Sequence, residues 1–216
     1  MYGFYMSDYK RNQVEASIAR VLEPNRLALS SGLRTRLKRL LDTDRALSRV
    51  VRSSDPERAR YAFYSGKPPG SGAEVLFSAY EAFALLIGLR IMAHGWPQRF
   101  AVRVMRRARQ ELETEHARIL KDPAARFDLK ESEKKTATLN NDRWILLTVV
   151  SQSEPETGAA APFFSSVQHG YLKAVAWVRS VNQGAAGFTM FEVTADALRL
   201  NHAAAETKPS QRGRPG

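Results

Sequence analysis

Cysteine is absent from this chain of 216 residues. That excludes disulfides, thiolate metal sites and cysteine nucleophiles, and it is compatible with a reducing compartment. Histidine is scarce, and His94, His116, His169 and His202 fall in separate stretches. Glu113-x-x-His116 matches one half of a di-iron carboxylate motif, but such a site needs a second copy and further helix-borne glutamates. A surface pair is the favoured reading. Neither G-x-x-x-x-G-K-S/T, G-x-S-x-G nor H-E-x-x-H occurs, so the usual nucleotide, hydrolase and zinc motifs are missing. Long apolar runs are missing too. The most apolar stretch, after Ser78, reaches only about 15 residues before Gly95 and includes Glu81 and Arg90, too short and too charged for a bilayer. MYGFYMSDYK at the N-terminus has no apolar core of a secretion signal. The expectation is a cytoplasmic protein, not an enzyme, with no membrane association, no cofactor and no metal.

Acidic residues are also in short supply. Against 33 Lys and Arg stand 22 Asp and Glu, a net charge of +11 with a sequence pI near 10.2. Such an excess favours a polyanionic partner, nucleic acid ahead of an anionic membrane surface. An ordinary solvated basic surface is the plainer alternative. Length and a 44% hydrophobic fraction allow one large domain or two small ones.

What is present is organised around the stretch from Ala73 to Leu120. Ser78-Ala79-Tyr80-Glu81 reads as a capping box. The residues that follow are apolar on almost every side, which predicts a helix buried all round. Ala84 and Gly88 make a small-residue stripe that would admit another backbone. Arg90, inside this helix, needs an acid or helix-end carbonyls, because a buried unpaired charge is costly. Gly95 suits a left-handed stop, and Pro97 suits the first turn of a second helix reaching about Leu120. Arg103, Arg106, Arg107 and Arg109 fall mostly outside its apolar face, free for phosphates or solvent. Upstream, Tyr61 to Ser65 and Ala73 to Phe77 are β-prone runs around Gly66-Lys-Pro-Pro-Gly-Ser-Gly72, which reads as a hairpin.

Towards the N-terminus, Gln13 to Leu22 is a modest amphipathic helix closed by Pro24. A second runs from Gly32 to about Ser48, with Leu33, Leu37, Leu40, Leu41 and Leu47 in one sector. Arg34, Lys38 and Arg45 lie beside one edge of that sector, Arg36 and Arg39 beside the other. A short helix, a turn and a basic amphipathic helix is the order of a helix-turn-helix reader. Asp42 and Asp44 would dilute contact with phosphates. A core helix with a basic outer face fits the same residues equally well.

Beyond Asp122-Pro123, residues 124–142 read as a charged linker. Trp144 to Val150 reads as a strand buried on both faces. A helix from about Ser166 to Val181, a strand from Phe188 to Val193 and a helix capped by Thr194 would follow. Strand, helix, strand predicts a crossover with parallel strands. The end, Lys208 to Gly216, has nothing to bury and reads as disordered. Its Arg212-Gly213-Arg214-Pro215 matches the core of the AT-hook, in which two guanidiniums enter the minor groove of A·T-rich DNA.

Pro68 to Leu112, about a fifth of the chain, resembles the wing end and following helix pair of the mercury-resistance (MerR) type of winged-helix regulators. Pro68-Pro69, Phe77-Ser78, Arg90, Gly95 and Arg103-Val104-Met105-Arg106 carry the likeness. It implies a two-helix reader at residues 13–22 and 33–47, and a homodimer. The aromatic-rich recognition helix of that family is missing, residues 48–60 are an insertion before the wing, and the family's dimer coiled coil is replaced by the C-terminal region.

The resulting expectation is a mainly α (α+β) fold with a winged-helix-like domain over residues 1–122. A linker over 123–142, a small β-α-β-α extension over 143–206 and a basic tail over 207–216 complete it. The expected function is non-enzymatic DNA binding in transcriptional regulation. Arg34, Arg36, Lys38, Arg39 and Arg45 would contact DNA from the helix, Lys67 from the wing tip, and Arg212 and Arg214 from the tail. The alternative is a protein–protein adaptor or dimerisation module with a basic surface. Operator, effector and direction of regulation have no signature in the sequence.

Overall fold

A computed structural model describes residues 8–26, 29–47, 49–50, 52–68, 74–121, 144–151, 163–181 and 185–208. The fold is mainly helical with small antiparallel sheets, the α+β class that the sequence predicts. It divides into two compact units, residues 1–106 with 198–216, and residues 107–197. Composition alone places a boundary after residue 122. The linker over 123–142 lies outside the described residues.

In the first unit, β1 (Tyr9–Lys10) leads into α1 (Arg11–Leu22), α2 (Ser31–Ala46) and the short α3 (Pro56–Ala59). Then come β2 (Leu76–Phe77), α4 (Ala79–Ala93) and α5 (Gln98–Lys121), the last contributing its residues up to Arg106. The capping box forms as expected: the Ser78 hydroxyl accepts the Glu81 amide at 3.2 Å, and the Glu81 carboxylate accepts the Ser78 amide at 2.7 Å. Everything from Tyr80 to Leu89 is buried, and so is Ile91. With each large apolar side chain worth roughly 1.5–3 kcal/mol on burial, α4 is the core of this unit. Leu33, Leu37, Leu40 and Leu41 of α2 and Val14 and Ile18 of α1 are buried with it.

The small-residue stripe admits a side chain rather than a backbone. A Cβ on Gly88 would stand 3.1 Å from Phe63 Cζ and 3.4 Å from Leu40 Cδ1. Arg90 sits half-buried in the last turn of α4, where the carbonyl end of the helix favours a cation. Gly95 stops the helix at φ +90°, a conformation that costs a side-chain-bearing residue energy. The Pro97 carbonyl then accepts the Ala101 amide in the first turn of α5.

The expected hairpin does not form. Residues 61–65 are not a strand, and β2 pairs instead with β1, Tyr9 opposite Phe77 and Lys10 opposite Leu76. The reason lies in where the amides go. The Ala62 and Phe63 amides each donate to the Asp44 carboxylate at 3.0 Å. The Ser65 amide and hydroxyl donate to Glu81, the hydroxyl at 2.8 Å. Two carboxylates on helices take the place of a partner strand. The turn residues 69–73 lie outside the described residues.

The second unit is built on β3 (Trp144–Ser151), the centre of a three-stranded sheet. β4 (Phe163–His169) and β5 (Ala185–Glu192) flank it, both antiparallel. This overturns the parallel pairing expected for residues 144–150 and 188–193. The missing piece was β4, whose Ser165-Ser166 and Gln168 disguise a strand. Tyr171–Val181 forms α6, which begins five residues later than expected, after Gly170 at φ +96°. A crossover does exist, but it joins β4 to β5, which run the same way on either side of β3. Ile145 and Leu147 pack with Ala174 and Val178 of α6, alongside Trp177 and Met190.

Thr194–Glu206 forms α7, the last helix among the described residues. Thr207 is not part of a free tail. Its carbonyl accepts from Gln13 Nε2 at 3.1 Å, and its hydroxyl lies 3.3 Å from Ser17 Oγ.

Candidate nucleic-acid interface

The turn between α1 and α2 is fixed by one carboxylate. Glu23 accepts the Ser30 hydroxyl at 2.7 Å and the Ser30 amide at 3.3 Å, and Ser30 Oγ accepts the Leu33 amide at 3.1 Å. Ser30 is therefore the N-cap of α2. The Ser30 hydroxyl holds the Glu23 carboxyl below its ordinary range, with Arg26 and Arg36 adding to the effect. The apolar sector of α2 faces inward, and Arg34, Arg36, Lys38, Arg39 and Arg45 are all exposed. At 100° per residue, Arg34, Lys38 and Arg45 share one narrow outward sector.

These cations are not equivalent. Arg34 Nε lies 3.9 Å from Glu15 Oε2, and Arg45 Nη1 lies 3.6 Å from Asp42 Oδ1. Arg45 Nη2 also donates to the Tyr64 hydroxyl at 3.4 Å, with the guanidinium 5.9 Å from the ring centroid. Burial raises the Tyr64 phenol above its ordinary pKa. Among the described residues, Lys38 and Arg39 make no side-chain ion pair. Lys67 is exposed three residues after Tyr64, in a bend that follows the non-strand residues 61–64. It is not joined to α2 by any ion pair among the described residues. Arg212 and Arg214 lie outside the described residues.

The arginines of α5 belong inside. Arg106 is 2% exposed, with Nε 2.7 Å from Asp44 Oδ1, a further donation to the Glu57 carbonyl at 3.0 Å and another to the Asp44 carbonyl. Its guanidinium lies over the Tyr61 ring at 5.3 Å. Arg103 pairs with Glu57 at 2.7 Å, buried Arg109 lies 3.6 Å from Glu113, and Arg107 donates to the Phe163 carbonyl while covering its ring. The expectation that these four are free for phosphates or solvent fails, and Asp44 is not a surface acid diluting the basic face. Its spacing gave a signal: Asp44 follows Leu37, Leu40 and Leu41 by seven, four and three residues, which places it on their side of the helix. Glu15 and Tyr64, which meet the cations of α2, had no such signal, because their contacts cross between elements.

His116 is also inside, not one of a surface pair with Glu113. It is buried, which pushes its pKa down to about 4. Among the described residues, no group of three or more His, Asp or Glu side chains is placed to hold a metal ion, and no helix is long and apolar enough to cross a membrane.

Scans against protein-family models, curated proteins and solved structures return no match for this chain. What the fold defines is a class: a mainly helical α+β chain whose second helix turns leucines inward and cations outward.

Proposed function

We propose that the protein is a non-enzymatic DNA-binding protein acting in transcriptional regulation, with α2 against the duplex. The observation that carries this reading is the exposure of all five cations of α2 above a buried leucine face. Charge distribution supports it. The first unit holds 22 Lys and Arg against 10 Asp and Glu, net +12, whereas the second holds 11 against 12, net −1. The positive field that attracts a polyanion therefore originates in the unit that carries α2. On this reading Lys67, Arg212 and Arg214 add contacts beside the helix. The likeness to mercury-resistance type regulators gives the α1–α2 pair the role of reader and brings with it a homodimer, and DNA binding itself implies a nucleoid location.

The test is duplex binding as a function of salt. Arg34→Ala and Lys38→Ala should each weaken binding to all sequences and flatten the salt dependence by about one unit of slope if they contact phosphates. Loss of about 1–3 kcal/mol on one preferred site alone would instead mark base readout. The double variant belongs in a protein lacking residues 208–216, so that the tail cannot mask the effect. Unchanged, salt-steep binding there would remove α2 from the interface.

A second reading, a protein–protein adaptor, draws on the other unit, where Phe164, Tyr171, Leu172 and Phe188 are each more than half exposed. Failure of the parent protein to bind any duplex near physiological salt would favour it.

A further inference from the structure

Two of the three cations in the outward row of α2 already face a carboxylate of the protein itself. We infer that Glu15 and Asp42 compete with DNA phosphates for Arg34 and Arg45, and so attenuate duplex binding. This inference rests on the DNA-binding reading of α2.

The geometry distinguishes these pairs from structural ones. Glu15 reaches across from α1, only 16% exposed, anchored by Arg11 Nε at 2.8 Å on one oxygen and standing 3.9 Å from Arg34 on the other. Asp42 precedes Arg45 by three residues and stands 3.6 Å away. Charge-assisted hydrogen bonds between such groups run at about 2.7–2.9 Å, the range in which Asp44 holds Arg106. At Arg34 and Arg45 the carboxylates are near enough to offset the charge but too far to hold the guanidinium. Both arginines stay open to solvent, at 64% and 47% exposure. A phosphate can therefore approach either from outside and offer the shorter contact. With a rise of about 1.5 Å per residue, the row from Arg34 to Arg45 spans roughly 16 Å. Its middle, Lys38, is unpaired among the described residues, and its two ends are offset.

Exposed ion pairs of this kind are each worth a factor of roughly 1.4 to 5. Removing both competitors should tighten duplex binding on the order of two- to twenty-fold at low salt, with the gain shrinking as salt screens it. The experiment measures binding of a short fluorescent duplex of mixed sequence to the full chain carrying Glu15→Gln and Asp42→Asn. A control with Glu74→Gln and Glu206→Gln makes the same change in net charge. Those two acids also sit in exposed ion pairs of the first unit, with Lys10 at 2.9 Å and Arg20 at 3.4 Å, neither of them a cation of α2.

Tighter binding by the first pair than by the control, abolished in an Arg34→Ala, Arg45→Ala background, is the expected result. Equal tightening by both pairs would reduce the effect to overall charge and overturn the inference. Unchanged or weaker binding by a variant with wild-type circular dichroism would also overturn it. Asp42→Asn alone, at a site half open to solvent, keeps the test available if Glu15→Gln disturbs folding. If neither the wild type nor any variant binds duplex, the DNA-binding reading itself falls and takes this inference with it. Binding by the wild type without a gain in the variants defeats the inference alone.

Discussion

The two units satisfy their backbones in opposite ways. In the second, three antiparallel strands supply each other's acceptors, and acids and bases are nearly balanced. In the first, the sheet found among the described residues is a pair of two-residue strands, and irregular segments are held by side-chain carboxylates. Asp44 takes two amides of the segment after α3, Glu81 takes the Ser65 and Ser78 amides, Asp55 caps α3 through the Glu57 amide, and Glu23 holds Ser30. Each such acid is turned towards the backbone. Four of the ten acids of that unit are thereby engaged with the backbone, and fewer are left to meet its 22 cations at the surface. The absence of a strand at residues 61–65 has that origin: acids working as backbone acceptors.

That contrast can be broken most severely at Arg106. In Arg106→Leu the Asp44 carboxylate stays buried at 0% exposure without its countercharge, a loss that typically costs about 3–5 kcal/mol. Urea unfolding of the first unit should shift accordingly. A loss of under about 1 kcal/mol would show that the Ala62 and Phe63 amides alone satisfy Asp44.

The second unit should respond to acid instead. His116 takes up its proton near pH 4 when folded but near 6.5 when unfolded. The unfolded chain therefore binds more protons across that window. Stability is complete above about pH 6.5 and falls by roughly 3 kcal/mol as the pH drops to 4. His116→Gln should flatten that limb of a stability–pH profile. An unchanged acid limb would mean that the imidazole is protonated in the fold.

The smallest effect belongs to Ser78→Ala. It removes one acceptor from a cap that keeps its Glu81 half, and it should cost about 0.5–2 kcal/mol in a thermal melt. A melt indistinguishable from wild type would leave Glu81, with its Ser65 bonds, as the whole of the cap.

Much of the helical part was legible because periodicity and caps are local. The Ser78 box, the all-round apolar α4, the Gly95 stop and the leucine face of α2 are each written within a single helix or its ends. What was missed depends on distant partners. Tyr9–Lys10 finds Leu76–Phe77 across most of the first unit, and nothing short-range announces that pairing. The β-prone run from Tyr61 to Ser65 reads as a strand until Asp44 and Glu81 take its amides. β4 hides behind serines that suit a helix cap. Of the candidate interface, the identity and exposure of the α2 cations could be read from the sequence, but not the carboxylates beside two of them. Helical angles give the side of one helix a residue occupies, not what a neighbouring helix brings to it.

The bond between Asp44 and Arg106 has a consequence for aim. Leucines alone tolerate some axial roll, since aliphatic packing is only weakly directional, and a roll of one residue's angle would swing an outward side chain by several ångströms. Asp44 is clamped from within by a guanidinium and two amides that approach along fixed directions. α2 is thus keyed like a shaft, and the bearing of Arg34, Lys38 and Arg45 is set by a residue that never meets solvent. A variant at Asp44 that still folds would keep every outward cation but lose the fixed direction in which they point.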